Sequence, residues 1–337
     1  MARRGQPRIV VLGGPALFAS FFDGPRQRRL SRSFDWSRSA ARAGTPRLRS
    51  LLRSAESLVT TWDSPVFGLD LLALAPRLRL VAHCGGEVRA RFPRPLFSRI
   101  TIANAPGPMA PYVAELALTF LLMAARRVDD YREALRRPSN AIYEGAHLHG
   151  CGQETLRDRT VGLVGFGRIG RALASLLKPL GARIVVYDPH VSLASRSGVR
   201  FASLASLLTR TEFLVLAAGL TDETRGMIGA RELALLPRGA TVVNVARGGL
   251  LDLGALTREV RRGRLRCALD VTDPLEPLPR RHPLRRLPGV VLTPHVGAGA
   301  VAVRRAMADI VLDTLERFFR GERVGSRVTP AMLDLMT

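Results

Sequence analysis

A chain of 337 residues is long enough for two domains with separate cores, and 47% hydrophobic content is typical of a soluble globular protein. The formal net charge is +23, and Lys178 is the only lysine, so arginine carries nearly all of the positive charge. The arginines are scattered along the sequence and no basic helix with interleaved aromatic residues is evident. An arginine-rich coding bias therefore explains the charge better than a polyanion-binding surface, and nucleic acid is not favoured as a partner.

The cysteine pattern and the apolar runs indicate the compartment. Cys84, Cys151 and Cys267 form no C-x-x-C pair, which argues against a zinc site and a disulfide framework and favours a reducing, cytoplasmic compartment. No apolar run reaches the ~18 residues of a membrane span. The basic and then apolar N-terminal segment has some likeness to a signal peptide, but Gly13 and Gly14 interrupt it. Residues 9–12 are more simply interpreted as a first strand.

The N-terminal part predicts a small open α/β unit. Its predicted elements are strands at 9–12, 57–62 and 78–83, a helix at 69–75, and surface helices and loops within the Arg- and Ser-rich residues 20–55. The loop Cys84-Gly85-Gly86-Glu87-Val88 follows the third strand, and open α/β sheets bind ligands at the carboxyl ends of their strands. Its glycines would expose backbone N–H groups to an anion, although an ordinary turn fits equally well.

Residues 100–103 predict a further strand, followed by a long apolar helix over 111–126 and a polar connection over 129–152. The next stretch, Thr160–Pro189, predicts a βαβ unit. An apolar run at 161–164 suits a buried parallel strand, residues 171–178 have helical spacing of apolar side chains, and 184–187 form a second apolar strand.

The glycines of this βαβ unit follow the G-x-G-x-x-G pattern of dinucleotide-binding folds. Gly165 would allow the tight turn, Gly167 would let the backbone approach a pyrophosphate, and Gly170 would let the helix pack on the strand. The phosphates would lie at the helix N-terminus. Asp188 stands 18 residues after the last glycine, where an acid hydrogen-bonds the adenosine ribose, and its charge favours NAD over NADP.

The α/β alternation continues beyond Pro189. Helices are predicted at 204–208, 230–236, 255–262 and 301–320, and strands at 213–217, 240–245, 267–271 and 290–292. Arg247, Glu276 and His295 fall at or just beyond the ends of these strands. Hydride transfer to a 2-oxo acid needs a cation for the carboxylate and carbonyl, which suits Arg, and a proton donor, which suits a His oriented by Glu. Spacing alone leaves an ordinary turn and loop residue as open alternatives.

Several motifs together resemble the D-isomer-specific 2-hydroxyacid dehydrogenases along nearly the whole chain. These motifs are Asn104-Ala-Pro-Gly, Val113-Ala114-Glu115, Gly165-Phe-Gly-Arg-Ile-Gly170, Leu220-Thr-Asp-Glu-Thr-Arg-Gly226, Val243-Asn-Val-Ala-Arg-Gly-Gly-Leu-Leu-Asp252, Ala268-Leu-Asp-Val271, Glu276-Pro-Leu-Pro279 and Leu292-Thr-Pro-His295. The family pattern places the catalytic Glu 29 residues after the Arg. This register selects Glu276 over Asp273.

The resemblance implies two doubly wound α/β domains with parallel sheets. A Rossmann NAD-binding domain, residues 104–296, would be inserted in a flavodoxin-like substrate domain formed by 1–103 and 297–337. By resemblance, Arg247 binds the substrate, His295 is the acid/base and Glu276 orients it. The implied cofactor contacts are Gly165, Gly167, Arg168, Ile169, Gly170, Asp188, Thr224, Ala246 and Asp270, the last on the nicotinamide carboxamide. The implied substrate contacts are Gly85, Gly86, Glu87 and Val88 together with Arg247.

The resemblance also implies a homodimer that acts on a small 2-hydroxy or 2-oxo acid. Three segments depart from the family pattern. Residues 217–219 are Ala-Ala-Gly in place of His-x-Pro, Glu87-Val88-Arg89 lacks the usual Asp, and no hydroxyl residue follows His295 closely. These departures leave the substrate open. They also leave an alternative, an NAD(H)-binding scaffold or regulator of the same fold with weak or no turnover.

Overall fold

The computed structural model describes residues 5–40, 45–136, 141, 144–145, 155–191 and 199–335. The chain divides into two compact units. The first unit comprises Met1–Met109 and Gly299–Thr337, and the second unit comprises Ala110–Ala298. Cys151 and part of the predicted connection over 129–152 lie outside the described residues.

The first unit contains a five-stranded, fully parallel sheet. Its strands are β1 (Arg8–Leu12), β2 (Asp35–Ser39), β3 (Ser57–Thr60), β4 (Leu80–His83) and β5 (Thr101–Asn104). They lie in the order β2-β1-β3-β4-β5, which is the flavodoxin-like order. The helices that alternate with them are α1 (Pro15–Phe21), α2 (Gly24–Ser33), α3 (Pro46–Leu52), α4 (Leu71–Leu74) and α5 (Leu96–Arg99).

Strand β2 is an edge strand that the sequence did not predict. Its residues, Asp-Trp-Ser-Arg-Ser, lack the apolar alternation of a half-buried strand. It forms because it pairs in parallel with β1, from Arg8 opposite Asp35 to Leu12 opposite Ser39. The surface helices expected around it are present as α2 and α3.

The second unit contains a seven-stranded parallel sheet. Its strands are β6 (Thr160–Val164), β7 (Arg183–Tyr187), β8 (Arg200–Phe201), β9 (Phe213–Leu216), β10 (Thr241–Asn244), β11 (Arg266–Leu269) and β12 (Val290–Leu292). The order β12-β11-β10-β9-β6-β7-β8 is the Rossmann order with one further strand. The helices are α6 (Met109–Ala125), α7 (Val128–Ala134), α8 (Arg168–Leu177), α9 (Leu204–Leu208), α10 (Ala230–Leu235) and α11 (Leu253–Arg261). The predicted fold class is therefore confirmed.

Helices cover both faces of the seven-stranded sheet, so its central strands are apolar without alternation. Along β9, Leu214 and Leu216 belong to one buried cluster, and Val215, between them, belongs to the cluster on the opposite face. Because every strand is parallel, all carboxyl ends meet at one edge. The loops after β6, β9, β10, β11 and β12 therefore share that edge.

The last long helix, α12 (Val301–Phe319), belongs to the first unit and buries Val303, Met307 and Leu312 in its core. No single helix in the described part of the chain is long and apolar enough to cross a membrane. The bent pair α6 and α7, which meet at 54°, passes that test by length and composition.

Candidate functional site

The three glycines after β6 have different steric surroundings. Gly165 has a φ of +99°, and a Cβ there would lie 2.5 Å from the backbone nitrogen of Ala218. A Cβ at Gly170 would lie 2.3 Å from the carbonyl oxygen of Gly165. Nothing lies within 4 Å of the Cβ position of Gly167. Gly165 and Gly170 are therefore required by the protein's own packing, whereas Gly167 leaves open space in front of the loop.

The open space lies at the N-terminus of α8. Gly167 is the N-cap and has no side chain to bind the first N–H groups of the helix. Arg168 is exposed at the first helical position, and Ile169 packs partly against the buried cluster. Uncapped N–H groups and the helix dipole attract anions. These residues therefore fit the pyrophosphate of a dinucleotide.

Asp188 links the glycine loop to the end of β7. Its carboxylate accepts hydrogen bonds from the backbone N–H of Phe166 at 2.7 Å and from that of His190 at 2.9 Å. An ionised carboxylate has about four acceptor positions, so these two bonds leave capacity for ribose hydroxyls. Asp188 also lines a cleft of about 430 Å³ with Tyr187 and Phe201. The surroundings fit an adenosine group.

The segment after β10 is fixed by a buried amide. The Asn244 side chain accepts a hydrogen bond from the Ala246 N–H at 3.1 Å and donates one to the Arg247 carbonyl at 2.9 Å. The Arg247 guanidinium donates to the Ala246 carbonyl at 2.8 Å. A Cβ at Gly248 would lie 2.2 Å from the carbonyl carbon of Thr272. Asn244 and Gly248 thus hold Arg247 against the loop that carries Glu276. The sequence interpretation did not single out Asn244, although it lies inside a recognised motif.

Glu276 and His295 form a hydrogen-bonded pair between Glu Oε1 and His Nδ1. The His295 side chain is 48% exposed and the Glu276 side chain 34% exposed. Since Nδ1 contacts the carboxylate, Nε2 is the imidazole nitrogen that can meet a substrate. His295 has a left-handed φ of +55°, which is uncommon for a residue other than glycine.

Asp270 stabilises the turn that carries His295. Its buried carboxylate accepts hydrogen bonds from the Thr293 hydroxyl at 2.5 Å, the Val296 N–H at 2.8 Å and the Gly297 N–H at 2.9 Å. Its backbone carbonyl also accepts the His295 N–H at 2.9 Å. These bonds fix the uncommon backbone conformation of His295. The structure therefore gives Asp270 a positioning role beside its predicted contact with the nicotinamide carboxamide.

Thr224 and Ala246, two further predicted cofactor contacts, are engaged within the protein. The Thr224 hydroxyl donates to the Gly219 carbonyl at 2.7 Å and accepts from the Thr221 N–H at 2.7 Å. Ala246 is buried, and its N–H is bound by Asn244. Both residues shape loops at the carboxyl edge of the sheet. A sequence motif cannot tell a residue with this structural role from one that contacts the cofactor directly.

The predicted substrate loop lies after β4 in the first unit. The Gly86 carbonyl accepts a hydrogen bond from the Asn104 side chain at 2.6 Å. The Glu87 carboxylate caps the following turn by accepting a backbone N–H, and the Val88 side chain is fully buried. The side chains of Glu87 and Val88 thus support the loop, so only its backbone is suited to bind a carboxylate.

A buried histidine lies under this loop. A Cβ at Gly85 would lie 2.5 Å from Nε2 of His83, whose Nδ1 is 2.9 Å from the Thr60 hydroxyl. Burial, together with the positive charge of Arg91, lowers the pKa of His83 to about 3. The imidazole is therefore neutral at physiological pH. It lies so close to residue 85 that a side chain larger than that of glycine would clash with it.

Comparisons with known proteins agree with this geometry. Residues 118–297 match the sequence profile of the "D-isomer specific 2-hydroxyacid dehydrogenase, NAD binding domain". A glyoxylate reductase from Aeropyrum pernix is 34% identical over 280 residues, covering 82% of this chain and 83% of its own. A D-3-phosphoglycerate dehydrogenase from Methanocaldococcus jannaschii is 32% identical over 260 residues, 75% of this chain, and the match spans only 48% of its own length. A crystal structure of a protein from Thermus thermophilus superposes with a TM-score of 0.79 at 28% identity, covering 96% of this chain and all of its own.

Proposed function

Because the chain belongs to the D-isomer-specific 2-hydroxyacid dehydrogenase family, we propose that it transfers a hydride between NAD and a small D-2-hydroxy acid or the corresponding 2-oxo acid. The observation that carries this proposal is the hydrogen-bonded pair of His295 and Glu276. It lies in the same unit as Arg247 and the glycine loop. The glyoxylate reductase of which the chain covers 83% supports a small 2-oxo acid as substrate.

Bound NADH supplies the hydride that reduces the carbonyl carbon. The protein's own residues supply the proton and the orientation. In the reduction, His295 would donate the proton on Nε2 to the carbonyl oxygen, which becomes the hydroxyl of the product. In the oxidation the same nitrogen would accept it. Glu276 accepts the Nδ1–H, fixes the tautomer and compensates the charge of the imidazolium.

Arg247 would orient the substrate. A planar guanidinium can bind a carboxylate through two parallel hydrogen bonds, and its charge polarises a neighbouring carbonyl. The bond from Arg247 to the Ala246 carbonyl and the contacts of Gly248 fix its direction. The backbone of Gly85 to Val88 is proposed to contribute further hydrogen bonds to the carboxylate.

The cofactor contacts are proposed in the same way. The N–H groups of Arg168 and Ile169 would bind the pyrophosphate, and the remaining acceptor positions of Asp188 would bind the ribose. The charge of Asp188 would repel a 2′-phosphate and so favour NAD over NADP. Asp270 would combine support of the His295 turn with the carboxamide contact.

We also propose a cytoplasmic homodimer. Cys84 and Cys267 are free and buried, as in proteins of a reducing compartment. Four large apolar side chains on α6, on α7 and just after it are exposed, and we propose that they take part in the contact between subunits. They are Tyr112, Leu122, Val128 and Leu135.

The test is a substrate panel. Glyoxylate, pyruvate, hydroxypyruvate and phenylpyruvate are each mixed with the protein and NADH, and the loss of NADH absorbance is followed. We expect turnover with at least one acid and a preference for NADH over NADPH. NADH binding without turnover of any 2-oxo acid would favour the scaffold alternative, and a lack of NADH binding would contradict both.

A further inference from the structure

The N-terminal part of the chain is strongly positive. Residues 1–56 contain 12 arginines and only three acidic residues. In sequence these arginines look scattered because they lie on separate elements. In the first unit, five side chains from α2, β2 and α3 line two clefts that adjoin the β2 edge of the sheet. We name this set the β2-edge strip: Arg28, Arg32, Trp36, Arg38 and Arg47.

Helix α2 divides its arginines between two faces. Arg26 and Arg29 point to α12 and form salt bridges there, Arg26 with Asp309 at 2.5 Å and Arg29 with Glu316 at 2.8 Å. Arg28 and Arg32, one helical turn apart, are exposed on another face and line a cleft of about 550 Å³. Neither has an acidic partner among the residues described. Arg26 and Arg29 thus join α2 to α12, whereas the charges of Arg28 and Arg32 face solvent.

An aromatic ring forms the wall of this cleft. Trp36 stacks on Phe18 with ring centroids 5.6 Å apart, and its indole N–H donates to the Ser31 hydroxyl at 2.9 Å. Ring and hydroxyl are therefore held in place before any ligand binds. On the same buried Phe18, the Arg38 guanidinium lies 5.6 Å from the ring centroid. Trp36 and Arg38 are thus neighbours on one supported surface.

The strip continues beyond Arg38. A second cleft of about 290 Å³ is lined by Arg38, Arg47 and Pro15. Of the acidic residues near the strip, Asp23 is paired with Arg26 and Arg305, and Asp35 with Arg8. A third, Asp63, accepts the Gly14 N–H at 2.7 Å, next to the Gly13 carbonyl to which the Arg38 guanidinium donates at 3.1 Å. The strip therefore combines two clefts beside the β2 edge, four guanidinium groups that form no ion pair among the described residues, and a fixed indole ring.

We propose that the β2-edge strip binds single-stranded nucleic acid. Guanidinium groups along a groove bind successive phosphates, and an aromatic ring stacks on a base of any sequence. A duplex hides its base faces, so it offers the phosphates but nothing for Trp36. An acidic peptide also lacks planar bases. The combination of ring and charges therefore favours a single strand, and none of the strip residues is among those proposed for hydride transfer.

The experiment uses the full chain and a short fluorescein-labelled oligothymidylate, with binding measured by fluorescence anisotropy at several salt concentrations. Trp36→Ala is expected to weaken binding about tenfold or more, and Trp36→Phe to restore most of it. Arg28→Gln with Arg32→Gln is expected to weaken binding and to lower the slope of log K against log salt by about 1.4. These arginines are exposed, so the double variant is expected to fold.

The matched control is Arg258→Gln with Arg261→Gln, which removes the same charge from the exposed side of α11 in the second unit. It is expected to change the affinity less than twofold. An equal loss in both double variants would mean general charge attraction and would overturn the proposal. So would an unaffected Trp36→Ala, or a duplex or polyglutamate that binds as tightly as the single strand. Turnover of the 2-oxo acid panel should be unchanged in all variants. A failure of nucleic-acid binding can therefore be distinguished from a failure of the proposed hydride transfer.

Discussion

Substitution of Gly248 by Ala should displace Arg247 from the loop that carries Glu276. The new Cβ would lie 2.2 Å from the carbonyl carbon of Thr272 and 2.5 Å from the backbone nitrogen of Asp273. Ordinary contact begins at 3.4 Å, so the two loops must separate by about 1 Å. Both neighbours are backbone atoms, which cannot move aside as a flexible side chain can.

The size of the effect follows from this displacement. Overpacking of a fitted site costs about 1–3 kcal/mol, which in a unit of this size lowers the melting temperature by roughly 2–12 °C. A misplacement of about 1 Å at a reacting centre costs about 100-fold in rate. We therefore expect Gly248→Ala to melt several degrees lower and to lose about 100-fold in kcat/KM for the 2-oxo acid.

The assay compares Gly248→Ala with Gly254→Ala, in steady-state kinetics and thermal unfolding. Gly254 lies in α11, and a Cβ there would lie 3.3 Å from an Asp252 carboxylate oxygen. The Asp252 carboxylate is a side chain that can shift slightly, unlike the backbone atoms that face Gly248, so this control should keep its activity and nearly all of its melting temperature. If Gly248→Ala matched the wild type in both measurements, the close contact between the two loops would be refuted as the device that positions Arg247.

Three further predictions concern the cofactor loop and the buried histidine. Gly167→Ala should fold normally, because nothing lies within 4 Å of its Cβ position. It should bind NADH about tenfold more weakly in a fluorescence titration, because the new methyl group would occupy the space proposed for the pyrophosphate. Unchanged affinity would argue against a pyrophosphate at this position. Asp188→Ser should lose about tenfold of the preference for NADH over NADPH, and a retained preference would remove Asp188 from that role. Because the pKa of His83 is lowered to about 3, its imidazole stays neutral in the folded state down to that pH. In the unfolded chain it takes up a proton below pH ~6.5. Between these two pH values the free energy of unfolding should therefore fall by about 1.4 kcal/mol for each unit that the pH drops. His83→Asn should flatten this slope in urea unfolding, and an equally steep loss in the variant would assign it to other groups.

Much of the second unit was predictable from the sequence, because its central strands are buried on both faces and read as continuous apolar runs. Strand β2 was not, since its five residues carry no apolar alternation and it depends on pairing with β1. The two-residue strand β8 and the short helix α5 were also missed. Elements this short are specified by their tertiary neighbours more than by their own sequence.

The candidate site was predictable in its residue types but not in their contacts. The family resemblance selected Glu276 over Asp273, and the structure places the Glu276 carboxylate against His295. Spacing could not show that Asp270 supports the His295 turn, or that the Thr224 hydroxyl is engaged within its own loop. Such bonds depend on side-chain directions that only the folded chain defines.

The proton donor is tested most directly by the turnover of His295→Ala, with NADH binding measured on the same preparation. If His295 is the proton donor, kcat should fall by a factor of about 10² to 10⁴ while the dissociation constant for NADH stays within a few-fold of the wild type. A variant that binds NADH and reduces the 2-oxo acid at the wild-type rate would contradict the assignment of His295 as the acid/base.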